Sequence, residues 1–306
     1  MTLEQFAARA ATVIKGRIPF WIQTERRREM RYDVVSRYFE RFLPAVAGVS
    51  DTPATQGASG SPGVDVAPDD GKEKIFSIWL QGEESAPPLV SACMRSIRRH
   101  CVDQQLVVLD EHSLFDHIDL PGWIMDKYAR GNIRRAHFAD IARVELLHNY
   151  GGVWLDATCF VTAPIPKFMI DEDFFVYRAG CIRAASHIQN CFIRARKGTY
   201  LLEAWRAMIH EYWRQEPDAI DYFMHQLLFK KLVQNDPRAI AAFAAMPQID
   251  QDPTHALWWS SGSEPFDRDL FDRLTANSFF QKTSHRSEWG KIPPPGSFAD
   301  EMINRM

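Results

Sequence analysis

Asp140 and Arg143 stand three positions apart in the run Ala136-His-Phe-Ala-Asp-Ile-Ala-Arg143, and Asp156 follows the apolar triplet Val153-Trp-Leu155, with Thr158 two positions on. At about 100° per residue, an Asp and an Arg with this spacing project from one face of a helix. A carboxylate delivered at the end of a buried strand beside such a pair suits transfer from a donor whose leaving group is a diphosphate. Asp156 and Thr158 offer oxygen ligands to Mn2+ or Mg2+, which keeps positions open for phosphate. Arg143 can reach phosphate or sugar oxygens, and Asp140 can accept hydrogen bonds from sugar hydroxyls. Taken singly, the pair could be an ordinary helical ion pair and Asp156 a turn residue. Their combination points to a site.

The elements that must position these groups are legible nearby. Gly151-Gly152 supplies a left-handed stop for the preceding helix, and Val153-Trp-Leu starts a buried strand, so Asp156 falls at a strand end. Upstream, Lys74-Ile-Phe-Ser-Ile-Trp-Leu80 and Gln105-Leu-Val-Val-Leu109 read as buried strands, and Leu89 to His100 as a helix. This alternation predicts an α/β domain with a mostly parallel sheet covered on both faces, in which ligands sit beyond the carboxyl ends of the strands. Leu201, Leu202, Trp205, Met208, Ile209 and Tyr212 form a helical stripe expected in the core.

The N-terminal part differs in texture. From Leu3 to Leu43 helix formers predominate, broken at Gly16 and around Pro19, which predicts two helices. The second carries Arg26, Arg27, Arg28, Arg31, Arg37 and Arg41 beside Tyr32, Val35, Tyr38, Phe39 and Phe42. Such a basic amphipathic helix can lie on anionic lipid or pack on the main domain. Between Pro44 and Gly71 the small and polar composition cannot bury enough surface to offset ordering, so it reads as a flexible linker. The expected organisation is an N-terminal helical segment at 1–43, a linker at 44–73 and the α/β domain at 74–306.

With 306 residues, 46% of them hydrophobic, a large core is available. A net charge of −3 gives no footprint for nucleic acid as a partner. No run approaches the ~20 apolar residues of a spanning helix, which makes a cytoplasmic protein the expectation, with residues 1–43 as its one peripheral contact with the inner face of the membrane. The five cysteines are odd in number and form no C-x-x-C pair, so neither a disulfide framework nor a zinc site is expected.

The whole stretch Ala136-His-Phe-Ala-Asp-Ile-Ala-Arg followed by Leu146-Leu-His-Asn-Tyr-Gly-Gly-Val-Trp-Leu-Asp-Ala-Thr158 resembles the signature of the capsular polysaccharide synthesis proteins, which sit with the DxD sugar-binding glycosyltransferases of family 32. Ile78-Trp-Leu-Gln-Gly82, Asp221-Tyr-Phe-Met-His225 and Gln281-Lys-Thr-Ser-His-Arg286 extend the resemblance from about Lys74 to Arg286. It implies a GT-A fold, with a Rossmann-like nucleotide-binding half joined to an acceptor half in one continuous sheet. It also implies that Trp79 stacks on the donor base, that Asp140 and Arg143 contact donor sugar and diphosphate, and that Asp156 is the first aspartate of the metal-binding motif. The second aspartate is replaced by Thr158, a weaker ligand, in the D-A-T form carried by the capsular branch.

Tyr222, His225 and Lys282 are further expected substrate contacts, Lys282 as a clamp on the diphosphate, and Asp221 is the candidate catalytic group supporting the reacting sugar face. Helix capping by Asp221 and a satisfied helix position for His225 are the blander alternatives. His285 is a further candidate for the metal shell. The expected activity is transfer of a hexose, with retention, from a nucleotide diphosphate sugar to a surface polysaccharide or a lipid-linked glycan. Two other readings stand beside it: a sugar-nucleotide-binding module that has lost turnover, and a membrane-peripheral scaffold.

Overall fold

The computed structural model describes residues 2–17, 25–50, 71–180, 186–257 and 262–306, with the side chains of 12–17 and 25–29 excepted. Most of the predicted linker, 51–70, lies outside the described residues.

The apolar runs of the α/β region build one five-stranded sheet, in the order β2-β1-β3-β6-β5. β1 (Glu73–Ile78) lies parallel to β2 (Gln104–Leu109) and to β3 (Gly152–Leu155), with Ile75 opposite both Leu106 and Val153. β6 (Ile188–Ala195) runs antiparallel to β3, and β5 (Phe174–Arg178) antiparallel to β6. The sheet is therefore mixed rather than mostly parallel. Its parallel half follows helical crossovers, through α3 (Pro88–His100) from β1 to β2 and through α4 (Gly122–Ala129) and a second helix from β2 to β3, whereas β5, which follows the short α6 (Lys167–Asp171), and β6 are consecutive strands that can pair antiparallel without one. One continuous sheet with a parallel and an antiparallel half is the layout expected of a GT-A-like α/β fold.

Helix α5 (Arg135–Tyr150) packs on this sheet and ends at Gly151, whose N–H donates to the Leu147 carbonyl at 2.8 Å. Gly151 and Gly152 adopt φ values of 68° and 94°. A Cβ at Gly152 would stand 2.5 Å from the Lys74 carbonyl oxygen of β1, so glycine lets β3 enter the sheet directly off the helix. A short second sheet pairs β4 (Cys159–Val161) with β7 (Phe280–Lys282). It brings the far end of the chain back to the turn after β3.

The predicted helical stripe forms the inner face of α7 (Tyr200–Gln215), with Trp205 and Tyr212 fully buried. Against it lies a 3-10 segment (Glu40–Gly48) of the N-terminal region, in which α1 (Leu3–Arg17) packs on α2 (Glu25–Phe39) and α2 on the helix Met224–Asn235. The Phe39 and Phe42 rings meet Tyr212 edge-on at 5.5 and 5.3 Å, and all three are buried. Glu216, just past α7, is a buried node. It accepts from Tyr38 Oη, from Gln5 Nε2 at 2.9 Å and from Arg9 at 3.2 Å. Burial, followed by the Glu216 charge, pushes the Tyr38 hydroxyl up to about 12, so it stays a donor.

These contacts correct the expected organisation. The aromatic stripe of α2 faces protein rather than lipid, and the boundary at 43 cuts through a 3-10 segment in which Phe42 and Val46 are buried. The N-terminal helices belong to the main core. Phe39→Ala is expected to cost about 3–5 kcal/mol of unfolding free energy, the range for deleting a buried aromatic. Urea denaturation checks this, since a detachable segment would leave the midpoint of the α/β core unchanged.

Candidate donor site

A cavity of about 430 Å3 opens beyond the carboxyl ends of β1 and β3. Of the expected site residues it gathers Trp79, Asp140, Arg143, Asp156, Thr158, Tyr222 and Lys282, together with His285. They come from five separate stretches of chain, so the convergence is a product of the fold.

Arg143 holds the floor together. Its guanidinium bridges two carboxylates, 3.2 Å from Asp140 Oδ1 and 3.5 Å from Asp156 Oδ1, and lies 4.8 Å over the Trp154 ring. It also donates to the carbonyls of Ala139 and Asn190. Only 5% exposed, with its donors committed to protein, Arg143 acts on the site by positioning Asp140 and Asp156.

Asp140 is 7% exposed. Asn190 Nδ2 donates to its Oδ1 at 2.9 Å, which leaves Oδ2 without a protein partner among the described residues. Burial pushes the Asp140 carboxyl up to about 7, with Arg143 and the Asn190 amide opposing and the Asp156 charge reinforcing. Asp156 moves the other way. Burial raises it, but Lys282, Arg143 and the indole N–H of Trp154, 2.8 Å from Oδ1, outweigh burial and hold it below the usual carboxylate value. Lys282 Nζ stands 3.1 Å from Asp156 Oδ2 and also donates to Thr158 Oγ1. Burial works against the Lys282 charge, and Asp156 overcomes it, so this lysine is held above its ordinary value.

Trp79 follows β1 and meets His285 edge-on at 5.2 Å. Its Nε1 is buried without a partner among the described residues, as is His285 Nδ1. Burial, followed by the charges of Arg286, Lys282 and Lys291, lowers the His285 value and keeps the ring neutral. Tyr222 is 61% exposed at the mouth.

Two expected contacts lie elsewhere. His225 is fully buried behind the wall, 4.1 Å from the Trp205 ring, with Nδ1 3.2 Å from Asn190 Nδ2. Burial, then Arg143 and His137, holds it well below its ordinary value, so it is a neutral support for Asn190. Asp221 is 2% exposed and outside the cavity lining, where its Oδ1 accepts from the Phe223 N–H at 2.8 Å. The local turn ahead of α8 (Met224–Asn235) accounts for that geometry, and a catalytic contact with the sugar does not follow from it.

Trp154 and Asn190 are site residues that sequence reasoning passed over. Trp154 read as a core strand residue. Asn190 carried a weak signal, since Gln189-Asn190 stands ahead of the apolar run Cys191-Phe-Ile193 in strand β6.

The residues do not fit a divalent ion at Asp156 and Thr158. Among the described residues no group of three His, Cys, Asp or Glu side chains converges to hold a metal. The two candidate ligand atoms already face the Lys282 ammonium. With the ammonium seated there, a divalent ion would have to compete with it for both oxygens.

The sequence profile described as capsular polysaccharide synthesis protein matches residues 65–302. This chain belongs to that family. Among curated relatives, the chain is 30% identical over 158 residues to "Probable glycosyltransferase FCK3" of Fusarium pseudograminearum, covering 46% of this chain and 39% of the relative. It is 26% identical over 182 residues to "O-glycosyltransferase PaGT" of Phomopsis amygdali, covering 53% and 44%. The chain thus aligns with less than half the length of either. A solved structure, "PaToxG Glycosyltransferase", is 13% identical with a TM-score of 0.37, over 92% of this chain and 95% of that one.

The raised Asp140 value carries a sign. Its native pKa lies above its unfolded one, so in the native state the ionised form is penalised and stability from this group falls as pH rises from about 4 to about 7. Asp140→Asn, which still accepts at Oδ1 but does not ionise, should melt progressively higher relative to wild type across that window. Thermal melts at pH 5 and pH 8 check this; a difference that does not grow with pH counts against it.

Proposed function

We propose that this family member is a glycosyltransferase that moves a hexose from a nucleotide diphosphate sugar to a surface polysaccharide or a lipid-linked glycan. The observation that carries this reading is the convergence at one strand-end cavity of the paired carboxylates Asp140 and Asp156, the cation Lys282 and the aromatic ledge of Trp79 and His285. A ledge with unpartnered nitrogens suits a nucleobase, a half-buried ammonium suits a diphosphate, and an open carboxyl oxygen beside an amide suits sugar hydroxyls. That the aligned relatives are named glycosyltransferases supports the same activity.

Retention of the anomeric configuration is part of the proposal. Asp140 and Asp156 are the carboxylates lining the described cavity, and one arginine ties both on the same wall. Inversion would need a base on the face opposite the leaving group, whereas retention keeps acceptor and leaving group on one face and needs no base across the ring. The departing diphosphate is then the group placed to take the acceptor proton. Tyr222, exposed at the mouth, is the proposed contact for acceptor sugar. A peripheral membrane contact would rest on the exposed Leu3 and Phe6 of α1. No described helix is long and apolar enough to cross a membrane.

Turnover of a panel of sugar nucleotides, read as nucleoside diphosphate released with and without added glycan, tests the activity. Asp156→Asn is expected to lower turnover by about a hundredfold or more while the protein stays folded, as for loss of one preorganised charge contact. Wild-type rates in that variant would remove Asp156 from the chemistry. Trp79→Ala should act mainly on donor KM, because base stacking of ~1–3 kcal/mol is felt equally in ground and transition states. An unchanged donor KM in a folded Trp79→Ala protein would assign this side chain to packing.

A further inference from the structure

Lys282 Nζ occupies the position from which a cation would bridge Asp156 and Thr158. It contacts Oδ2 of the first and Oγ1 of the second, the two side-chain oxygens that the sequence offers as ion ligands. Backbone geometry keeps it there. Lys282 pairs with Cys159 across β4 and β7, and the Thr283 N–H and hydroxyl both donate to the Thr158 carbonyl at 2.8 Å. On the preceding side Gln281 is fully buried, accepting from the Leu257 N–H at 3.1 Å and donating to the Pro253 carbonyl at 2.9 Å. The strand that carries the lysine is thus locked to the turn that carries Asp156 and Thr158.

The neighbouring cations are placed differently. Arg143 lies below Asp140 and Asp156 with four protein acceptors and is 5% exposed, and Arg286 stands exposed at the cavity mouth, so neither sits between Asp156 and Thr158. An ammonium has three N–H donors, so with two spent on Asp156 and Thr158 a third remains for a phosphate oxygen.

We propose that Lys282 is the resident cation of the donor site: its ammonium, held between Asp156 and Thr158, takes the diphosphate charge that a divalent ion would otherwise carry, so nucleotide binding needs no metal. This rests on the reading of the cavity as a sugar-nucleotide site. The arrangement also gives Thr158 a purpose. A hydroxyl can accept from an ammonium, whereas a second carboxylate would add a charge that favours a divalent ion.

The test uses the full chain and a panel of UDP, GDP, CDP, ADP and dTDP, titrated calorimetrically once in EDTA and once in MnCl2. Mn2+ binding is followed separately by electron paramagnetic resonance, with no nucleotide present. At least one nucleotide should bind in EDTA with a Kd within about threefold of its value in Mn2+, and Mn2+ alone should find no stoichiometric site. Lys282→Ala should weaken that nucleotide by about tenfold or more, and Lys282→Arg should recover part of the loss, as expected for a charge-assisted contact. Nucleotide binding that requires Mn2+, or one Mn2+ per wild-type chain that Asp156→Asn abolishes, would overturn the proposal and leave the sugar-nucleotide reading standing. The nucleotide titrations of wild-type protein in EDTA and in Mn2+ decide the matter even if the variants fail to fold. No nucleotide binding in either buffer would overturn the sugar-nucleotide reading, and this inference with it.

Discussion

A guanidinium shared by two carboxylates is the constraint from which the site is built. Arg143 is nearly inaccessible to water, and a buried charge of that size is tolerated only if its N–H groups are paired. Its partners come from three places: its own helix through Asp140 and the Ala139 carbonyl, the end of β3 through Asp156, and β6 through the Asn190 carbonyl. Satisfying one side chain therefore sets the separation of α5 from two strands. The glycine pair after α5 serves the same approach, since a Cβ would press on the Lys197 backbone nitrogen at Gly151 and on the Lys74 carbonyl at Gly152.

Electrostatics then divides the labour between the two carboxyls. They share a cation, but Asp140 meets burial with an amide and part of a guanidinium, whereas Asp156 has an ammonium and an indole N–H as well. Near neutral pH one is on the edge of protonation and the other is firmly ionised. A site can in this way present a group that both donates and accepts beside a fixed negative charge, without changing residue type.

The local signals along the chain gave most of the elements. The strands at β1 and β2, the helix Pro88–His100, the glycine stop and the α7 stripe all come from periodicity and turn chemistry, which act over a few residues. So does the Asp140–Arg143 pairing on one helical face. What stayed hidden depends on distant chain. The direction of β5 and β6 has no local marker, and the aromatic face of α2 looks the same whether it meets lipid or Tyr212. Asp221 and His225 share a motif with Tyr222, yet of these three Tyr222 alone lines the cavity, because Asp221 is turned inward ahead of α8 and His225 sits on the buried face of that helix. Trp154 was hidden for the opposite reason: an indole in an apolar strand is a core residue by default, and its role depends on the one N–H aimed at Asp156.

The second sheet has a bearing on the order in which the protein can be made. β4 and β7 are joined across a sequence separation of more than a hundred residues, 126 for the Lys282 to Asp156 contact. During synthesis the N-terminal portion of a chain folds ahead of the rest. Until the β7 strand emerges and docks, Asp156 keeps Arg143 but lacks its ammonium partner, and the lower wall of the cavity is missing. All five strands of the main sheet lie upstream of residue 196, so a partly made chain can contain every one of them and still lack the side of the cavity that carries Lys282. Completion of the cavity is thereby placed late in synthesis, set by the position of one short strand in the sequence.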